Sequence, residues 1–231
     1  MMAPYSPPRL AAEALLEHAR ATAPRECAGT ISGGQYRPQA EGNADSVRLA
    51  GWVGEDTEAV CHSHVGGLAY PSLQDMAAGI ALGRPVVIVC LGDDEVVTYD
   101  PAVPPDPVGA GYRFGISDCW SAIRFGFADR GVALPDLPRT WQDWREPGID
   151  SPYLLEAGRF GFRPCSDPHP LDVAVMRPGR GAACHAALLL EDGETILHHP
   201  GRNRPVDLGA LGRREPLGRW RRHIVGWFRL A

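Results

Sequence analysis

Two short stretches of this sequence place side chains where they could do hydrolytic chemistry. In the first, VCHSH, His62 and His64 stand two residues apart in an apolar, strand-like run. Side chains alternate along a strand, so both imidazoles leave from one face, about 6–7 Å apart along it. One zinc ion with bonds of about 2.0–2.1 Å can bridge such a pair. Ser72 follows and then Asp75, at the head of LQDMAAGIALG (73–83), a stretch with helical composition. A carboxylate there can turn back as a third ligand and leave the fourth position for water, the pattern of a catalytic zinc. Glu26, just ahead of the strand-like CAGTI, is placed to take a proton from that water. The same Ser72-Leu73-Gln74-Asp75 run also reads as a helix-capping box, which needs no metal.

The second stretch is Asp118-Cys119, opening the amphipathic CWSAIRFGFADRG (119–131), with Trp120, Ile123 and Phe127 on one face and Gly131 as a stop. Asp118 is placed to cap this helix. A thiol in the first turn feels the positive end of the helix dipole, which lowers its pKa and favours thiolate. A nucleophilic thiol also needs a base that a third group orients. His185 opens HAALLL, and after the turn EDGE (191–194) His198 lies near the end of the next strand, beside or diagonal to it. This order supports a Cys119–His185–His198 triad. Adjacent strand residues face opposite ways, so only one of His198 and His199 can point at His185. Cys165 and Cys184 have no comparable setting.

Taken together, PRECAGT and the spacing of His62, His64, Ser72 and Asp75 resemble the JAMM metalloprotease family, whose motif is Glu … His-x-His-x7-Ser-x2-Asp. The resemblance implies His62, His64 and Asp75 as zinc ligands, Glu26 as general base and Ser72 as oxyanion stabiliser. Val65 stands where that family usually has Pro. YRFGISDCWSAIRFGFADRGVALPD, DVAVM and HAALLLEDGETILHHPGR resemble the NlpC-type cysteine peptidases with a papain-like core. Carried over, Cys119 is the nucleophile, His185 the base and His198 the orienting residue, and Tyr112 resembles a substrate-side tyrosine near the thiol. Pro170-Leu171-Asp172 replaces the usual Pro-Gly-Asp. These peptidases usually cleave amide bonds of peptidoglycan stem peptides beside D-glutamate. The pairing of both types in one short chain resembles the tail-tip assembly proteins of lambda-like phages. It implies other tail-tip proteins as partners and peptidoglycan as substrate. It also implies synthesis in the host cytoplasm, a place at the virion tail tip, action at the host cell wall, and a zinc site that trims a tail protein. The alternative is a structural assembly factor whose two sites are vestigial.

The elements that must position these residues give an α+β chain of two domains. A JAMM-like α/β sandwich is expected over 1–103, a proline-rich linker over 104–111, and an NlpC-type domain over 112–231 with an antiparallel sheet packed on the nucleophile helix. Helices are predicted at 10–21, 73–83 and 119–131, and strands at 27–31, 59–63, 86–91, 96–99, 172–176, 184–190, 195–199 and 223–230. PAVPPDPVGAG (101–111), with its four prolines, reads as a semi-rigid connection, and 132–170 reads as loops and short helices. With 44% hydrophobic and 22% charged residues among 231, the composition argues against disorder. Residues 1–105 hold 6 Arg against 13 acidic residues, a net −7, and 106–231 hold 17 Arg against 15, a net +2. Neither half has the basic excess of a nucleic-acid binder, and Arg213 to Arg229 reads as a solvated basic end. No apolar run reaches membrane-spanning length and the start lacks an apolar leader, so no membrane insertion is expected, and the six Cys are expected to be free thiols.

Overall fold

Residues 9–22 are dense in Ala, Leu and Glu, and α1 (Arg9–Thr22) forms there. Its Ala11, Leu15 and Ala19, four residues apart, make one apolar stripe. That stripe packs on Cys27 and Ile31 of β1 (Cys27–Ser32), Ala59 and Cys61 of β3 (Thr57–His64), and Val87 and Val89 of β4 (Val86–Cys90). The computed structural model describes residues 2–43, 53–141, 152–179, 181–201 and 204–231. It divides into two units, Met2–Val103 and Pro104–Ala231.

In the first unit, β2 (Gln35–Glu41) and β5 (Glu95–Tyr99) are the edges of a sheet ordered β2-β1-β3-β4-β5. Only the β3–β4 pair is parallel. A parallel pair needs a crossover, and α2 (Leu73–Leu82) supplies it. Gly79 of α2 comes so close to Val86 and Tyr99 that an added Cβ would sit 3.0 Å from both. Val86 and Val87 face opposite sides of the sheet, so α1 and α2 cover its two faces. β2 is absent from the sequence expectation because Pro38 interrupts its pattern. As an edge strand it tolerates that proline, and Gly33 and Gly34, at φ 58° and 72°, make the tight turn into it.

The second unit carries β6 (Gly111–Arg113), α3 (Cys119–Ala128), α4 (Pro152–Glu156), β7 (Phe162–Cys165), β8 (Val173–Met176), β9 (His185–Leu189), β10 (Thr195–His198), β11 (Val206–Leu211), β12 (Arg213–Pro216) and β13 (Ile224–Leu230). Six strands form an antiparallel sheet ordered β12-β10-β9-β8-β13-β7, and β6 pairs with β11 separately. α3 lies on β9 and β10, with Gly126 directly against Leu188, where a larger residue would push the helix off the sheet. Gly131, at φ 77°, ends α3, with Val132 N–H donating to the Phe127 carbonyl at 3.0 Å and Gly131 N–H to that of Ala128 at 3.0 Å.

Two expectations are corrected here. Residues 104–111, expected as a semi-rigid proline-rich linker, belong to the second unit: Gly109 N–H donates to the Gly212 carbonyl and Gly212 N–H to that of Ala110, both at 2.9 Å, and Gly111 begins β6. Proline removes a donor only at its own position, so the chain is free to pair from Val108 onward. The basic end is not a solvated tail either. β12 and β13 are built into the sheet, and Leu217, with Trp220, Ile224 and Trp227, covers Ala174, Met176, Ala187, Leu189 and Ile196. Residues 142–151 of the segment read as loops and short helices lie outside the described residues. All six cysteines are free, and no helix among the described residues is long and apolar enough to cross a membrane.

Candidate active sites

The end of β3 and the start of α2 build the first site. Ser63, between the two histidines, points to the other face, where its Oγ accepts the Cys27 N–H at 2.9 Å. That bond fixes the start of β1 beside the pair. Ala28 stands opposite His62, and the same register carried two residues back sets Glu26 opposite His64, on the histidine face. From α2, Ser72 Oγ accepts the Asp75 N–H at 3.2 Å, and Asp75 Oδ2 accepts the Ser72 N–H at 2.7 Å. The capping box and the metal reading are therefore one arrangement. The carboxylate held by the box has Oδ1 3.1 Å from His62 Nε2 and Oδ2 3.3 Å from His64 Nε2, and the two Nε2 atoms are 3.1 Å apart.

These three separations test the fit of a metal. Bonds of about 2.0–2.1 Å to tetrahedral zinc set neighbouring ligand atoms about 3.3 Å apart, close to the separation of the two imidazole nitrogens and of each from an oxygen of the Asp75 carboxylate. Two imidazole nitrogens and a carboxylate oxygen are also a donor set that zinc accepts. Burial alone would lower the His62 pKa, but Asp75 and, beyond it, Glu26 raise it. Burial would likewise raise Asp75, yet the hydrogen bonds from both histidines hold it well below the usual carboxylate range. An ionised Asp75 beside two imidazoles favours a cation.

The second site begins at the N-terminus of α3. Asp118 Oδ1 accepts the Ser121 N–H at 2.9 Å, and Oδ2 accepts that of Gly115 at 2.9 Å. Arg139 donates to the same Oδ2 from Nη2 at 2.7 Å and from Nε at 3.0 Å. Its Nη1 reaches Asp136 Oδ1 at 2.9 Å, and Arg124 Nη1 lies 3.0 Å from Asp136 Oδ2. The four side chains alternate in sign and are at most 3% exposed. Removing one partner of a buried pair strands the other charge, at a cost of about 3–5 kcal/mol. Arg139→Ala is therefore expected to destabilise the protein by that amount, read as a drop in the urea midpoint, and an unchanged midpoint would show that the network is not structural.

Cys119 Sγ lies 2.8 Å from Tyr153 Oη of α4, an aromatic residue that the sequence did not mark. Burial holds the Tyr153 hydroxyl protonated, with Cys119 the next contribution, and either atom of this contact can be the donor. Burial also pushes the Cys119 thiol up to about 12, and Asp118 adds to this. The direction is opposite to the expected one, because the positive end of the helix faces the carboxylate that caps it and water is excluded. Tyr112 lines the same cleft as Cys119 and His185, its ring edge-on to His199 and Trp141. The phenol on the thiol is thus Tyr153, and Tyr112 is a wall of the cleft.

His198 faces His185, with His185 Nε2 2.9 Å from His198 Nδ1. His199 turns away, its Nε2 2.8 Å from the Ala110 carbonyl. Beyond His198 the chain continues to a residue that sequence reasoning missed. His198 Nε2 is 2.9 Å from Glu215 Oε2, which also accepts the Trp220 indole N–H at 2.8 Å. Its one sequence signal is an acid isolated among arginines in RREP. Burial, then the charges of His198 and His199, lower the His185 pKa well below its ordinary value. Burial brings His198 down to about 4 against the pull of Glu215. A histidine depressed in the folded state stabilises the fold above its unfolded pKa, and that stability drains away as pH falls towards the folded value. Thermal stability of the wild type is thus expected to fall between about pH 6.5 and 4, with His198 contributing of the order of 3 kcal/mol. A His198→Gln variant whose stability falls as steeply over that range would contradict this.

Residues 8–100 match the family of prokaryotic homologs of the JAB domain, and the first unit has this type of fold. The chain is 32% identical over 143 residues to tail tip assembly protein K of Escherichia phage lambda, covering 61% of this chain and 68% of that protein. It is 27% identical over 221 residues to tail tip assembly protein K of Escherichia phage N15, covering 89% of this chain and 88% of that protein. Among solved structures, a JAB1/MPN domain protein from Archaeoglobus fulgidus is 21% identical, with a TM-score of 0.30 over 40% of this chain and 85% of that one.

Proposed function

We propose, from the premise that this chain belongs to the family of tail tip assembly protein K, a division of labour between its two units. The second unit is a cysteine peptidase of NlpC type that cuts an amide bond in peptidoglycan stem peptides at the host wall. The first is a zinc-dependent peptidase that processes a protein of the tail. The partners are other tail-tip proteins, and the place of action is the virion tail tip.

One observation carries the first half of this reading: Cys119 and His185 line one cleft, and His185 is held from behind by His198 at 2.9 Å. In the step that follows, His185 takes the Sγ proton as sulfur attacks the scissile carbonyl. The leaving amine then takes that proton, and a thioester remains on Cys119. Water, giving a proton to His185, attacks the thioester and restores the thiol. The high thiol pKa means that proton transfer accompanies attack, rather than a resting thiolate waiting for substrate.

In the first unit, His62, His64 and Asp75 would hold the zinc, which when bound supplies Lewis-acid activation of water. Glu26, set on the histidine face, would serve as the proton acceptor, and the Ser72 hydroxyl, whose oxygen accepts the Asp75 N–H, would donate to a developing oxyanion. A second reading, a tail-assembly factor with vestigial sites, is favoured by the burial of Cys119, 7% exposed beneath Tyr153. Mass spectrometry of purified peptidoglycan after incubation with the protein separates the two. The peptidase releases fragments cut within the stem peptide, and the assembly factor leaves the material intact.

A further inference from the structure

We propose that Glu215 is a positioning residue for the thiol site, the end of a buried relay Glu215–His198–His185 that fixes the proton on Nε2 of both histidines and leaves His185 Nδ1 as the base. The proposal rests on the reading of Cys119 as the nucleophile.

The direction of the relay follows from which atoms can donate. Arg213 Nη2 at 3.3 Å, Arg219 Nη1 at 3.4 Å and the Trp220 indole N–H at 2.8 Å all face the Glu215 carboxylate and favour its ionised form. Burial would raise its pKa, but Trp220, His198 and Arg213 lower it. A carboxylate has no hydrogen to give, so the contact of 2.9 Å with His198 Nε2 requires the proton to be on that nitrogen. A neutral imidazole carries one N–H, so His198 Nδ1 is then an acceptor. The 2.9 Å contact from His185 Nε2 to His198 Nδ1 must in turn be a donation from His185. His185 Nδ1 is left with a lone pair, which is what a base for the Cys119 proton needs.

The opposite tautomer would set a lone pair of His198 against a buried negative oxygen, a contact that costs more than a missing neutral hydrogen bond. Pairing of β10 with β12 makes the geometry rigid, with Ile196 opposite Glu215 and His198 one step along the same face. Trp220 closes the relay from the side, its ring 4.8 Å from His198 and 5.3 Å from His185. Indole is a donor only, so it can hold Glu215 Oε2 in place but cannot compete for the histidine proton. His199 and Arg213 are the other titratable or charged groups acting on His198, and both oppose its protonation. Glu215 touches neither sulfur nor substrate, and its influence reaches the reacting atoms through two imidazoles.

Long-range proton–nitrogen NMR of the full-length protein, labelled with 15N, reads the tautomers directly. The wild type is expected to show Nε2–H with a bare Nδ1 for both His185 and His198 at pH 7. Glu215→Gln keeps the shape but removes the charge, and is expected to give a mixture of tautomers at His198. On peptidoglycan the same variant is expected to lose kcat by about tenfold or more with KM nearly unchanged. Glu215→Ala should lose more, and if it fails to fold the Gln variant and the wild-type spectrum still decide. A proton on Nδ1 of wild-type His185, or tautomers and kcat that survive in Glu215→Gln, would overturn the relay. Failure of the peptidase reading looks different: the wild type leaves peptidoglycan intact while its tautomer spectrum still reports on the relay.

Discussion

Cys119→Ala is expected to lower the rate of peptidoglycan cleavage by about a thousandfold or more, since deletion of a covalent nucleophile removes the chemical path itself. The fold should survive the change. Sulfur in Cys119 meets the Tyr153 hydroxyl and the Ala186 backbone, whereas the capping of α3 rests on Asp118, Ser121 and Arg139. The substitution removes one atom at a site that is nearly closed to solvent, so the cavity left is small. Turbidity or fragment release measures the rate, and an unchanged urea midpoint shows that the loss is chemical. Loss of rate together with loss of fold would leave Cys119 a packing residue.

The second large effect concerns the metal. About one zinc per chain is expected, and His62→Ala combined with His64→Ala is expected to remove essentially all of it, because a single carboxylate remains of three ligands. The substitutions are mild for the fold. Both side chains sit at the open end of β3, 15% and 19% exposed, and neither belongs to the apolar cluster beneath α1. Elemental analysis of the purified protein gives the ratio. Zinc that stays at one per chain in the double variant would place the metal elsewhere.

Much of this was legible in the sequence where long periodic segments were concerned. The alternation in VCHSH correctly put both imidazoles on one face, and the capping pattern at Ser72 correctly put Asp75 in the first turn of α2, where it meets them. The helix start at Cys119 and the hairpin joining β9 to β10 were equally plain. What escaped was set by pairing across long separations. β6, β7 and β12 are short, and β12 is an edge built of Arg213, Arg214, Glu215 and Pro216, which reads as a solvated turn until β10 lies beside it. Glu215 was invisible for the same reason, and so was the pairing of Val108 with Gly212. The acidity of Cys119 was misjudged because a helix dipole is a local feature, whereas burial under Tyr153 depends on a residue 34 positions away.

The central claim is that wall cleavage belongs to the thiol site alone. It is tested most directly by peptidoglycan digestion with four samples of the full chain: wild type, wild type with a zinc chelator, Glu26→Ala and Cys119→Ala. A zinc-assisted attack by water and a covalent path through a thioester share no group, so neither needs a residue of the other unit. The account predicts near-equal rates for the first three samples and a rate lower by about a thousandfold or more for Cys119→Ala. Cleavage that stops with the chelator or with Glu26→Ala, and persists in Cys119→Ala, would assign the wall chemistry to the zinc site instead.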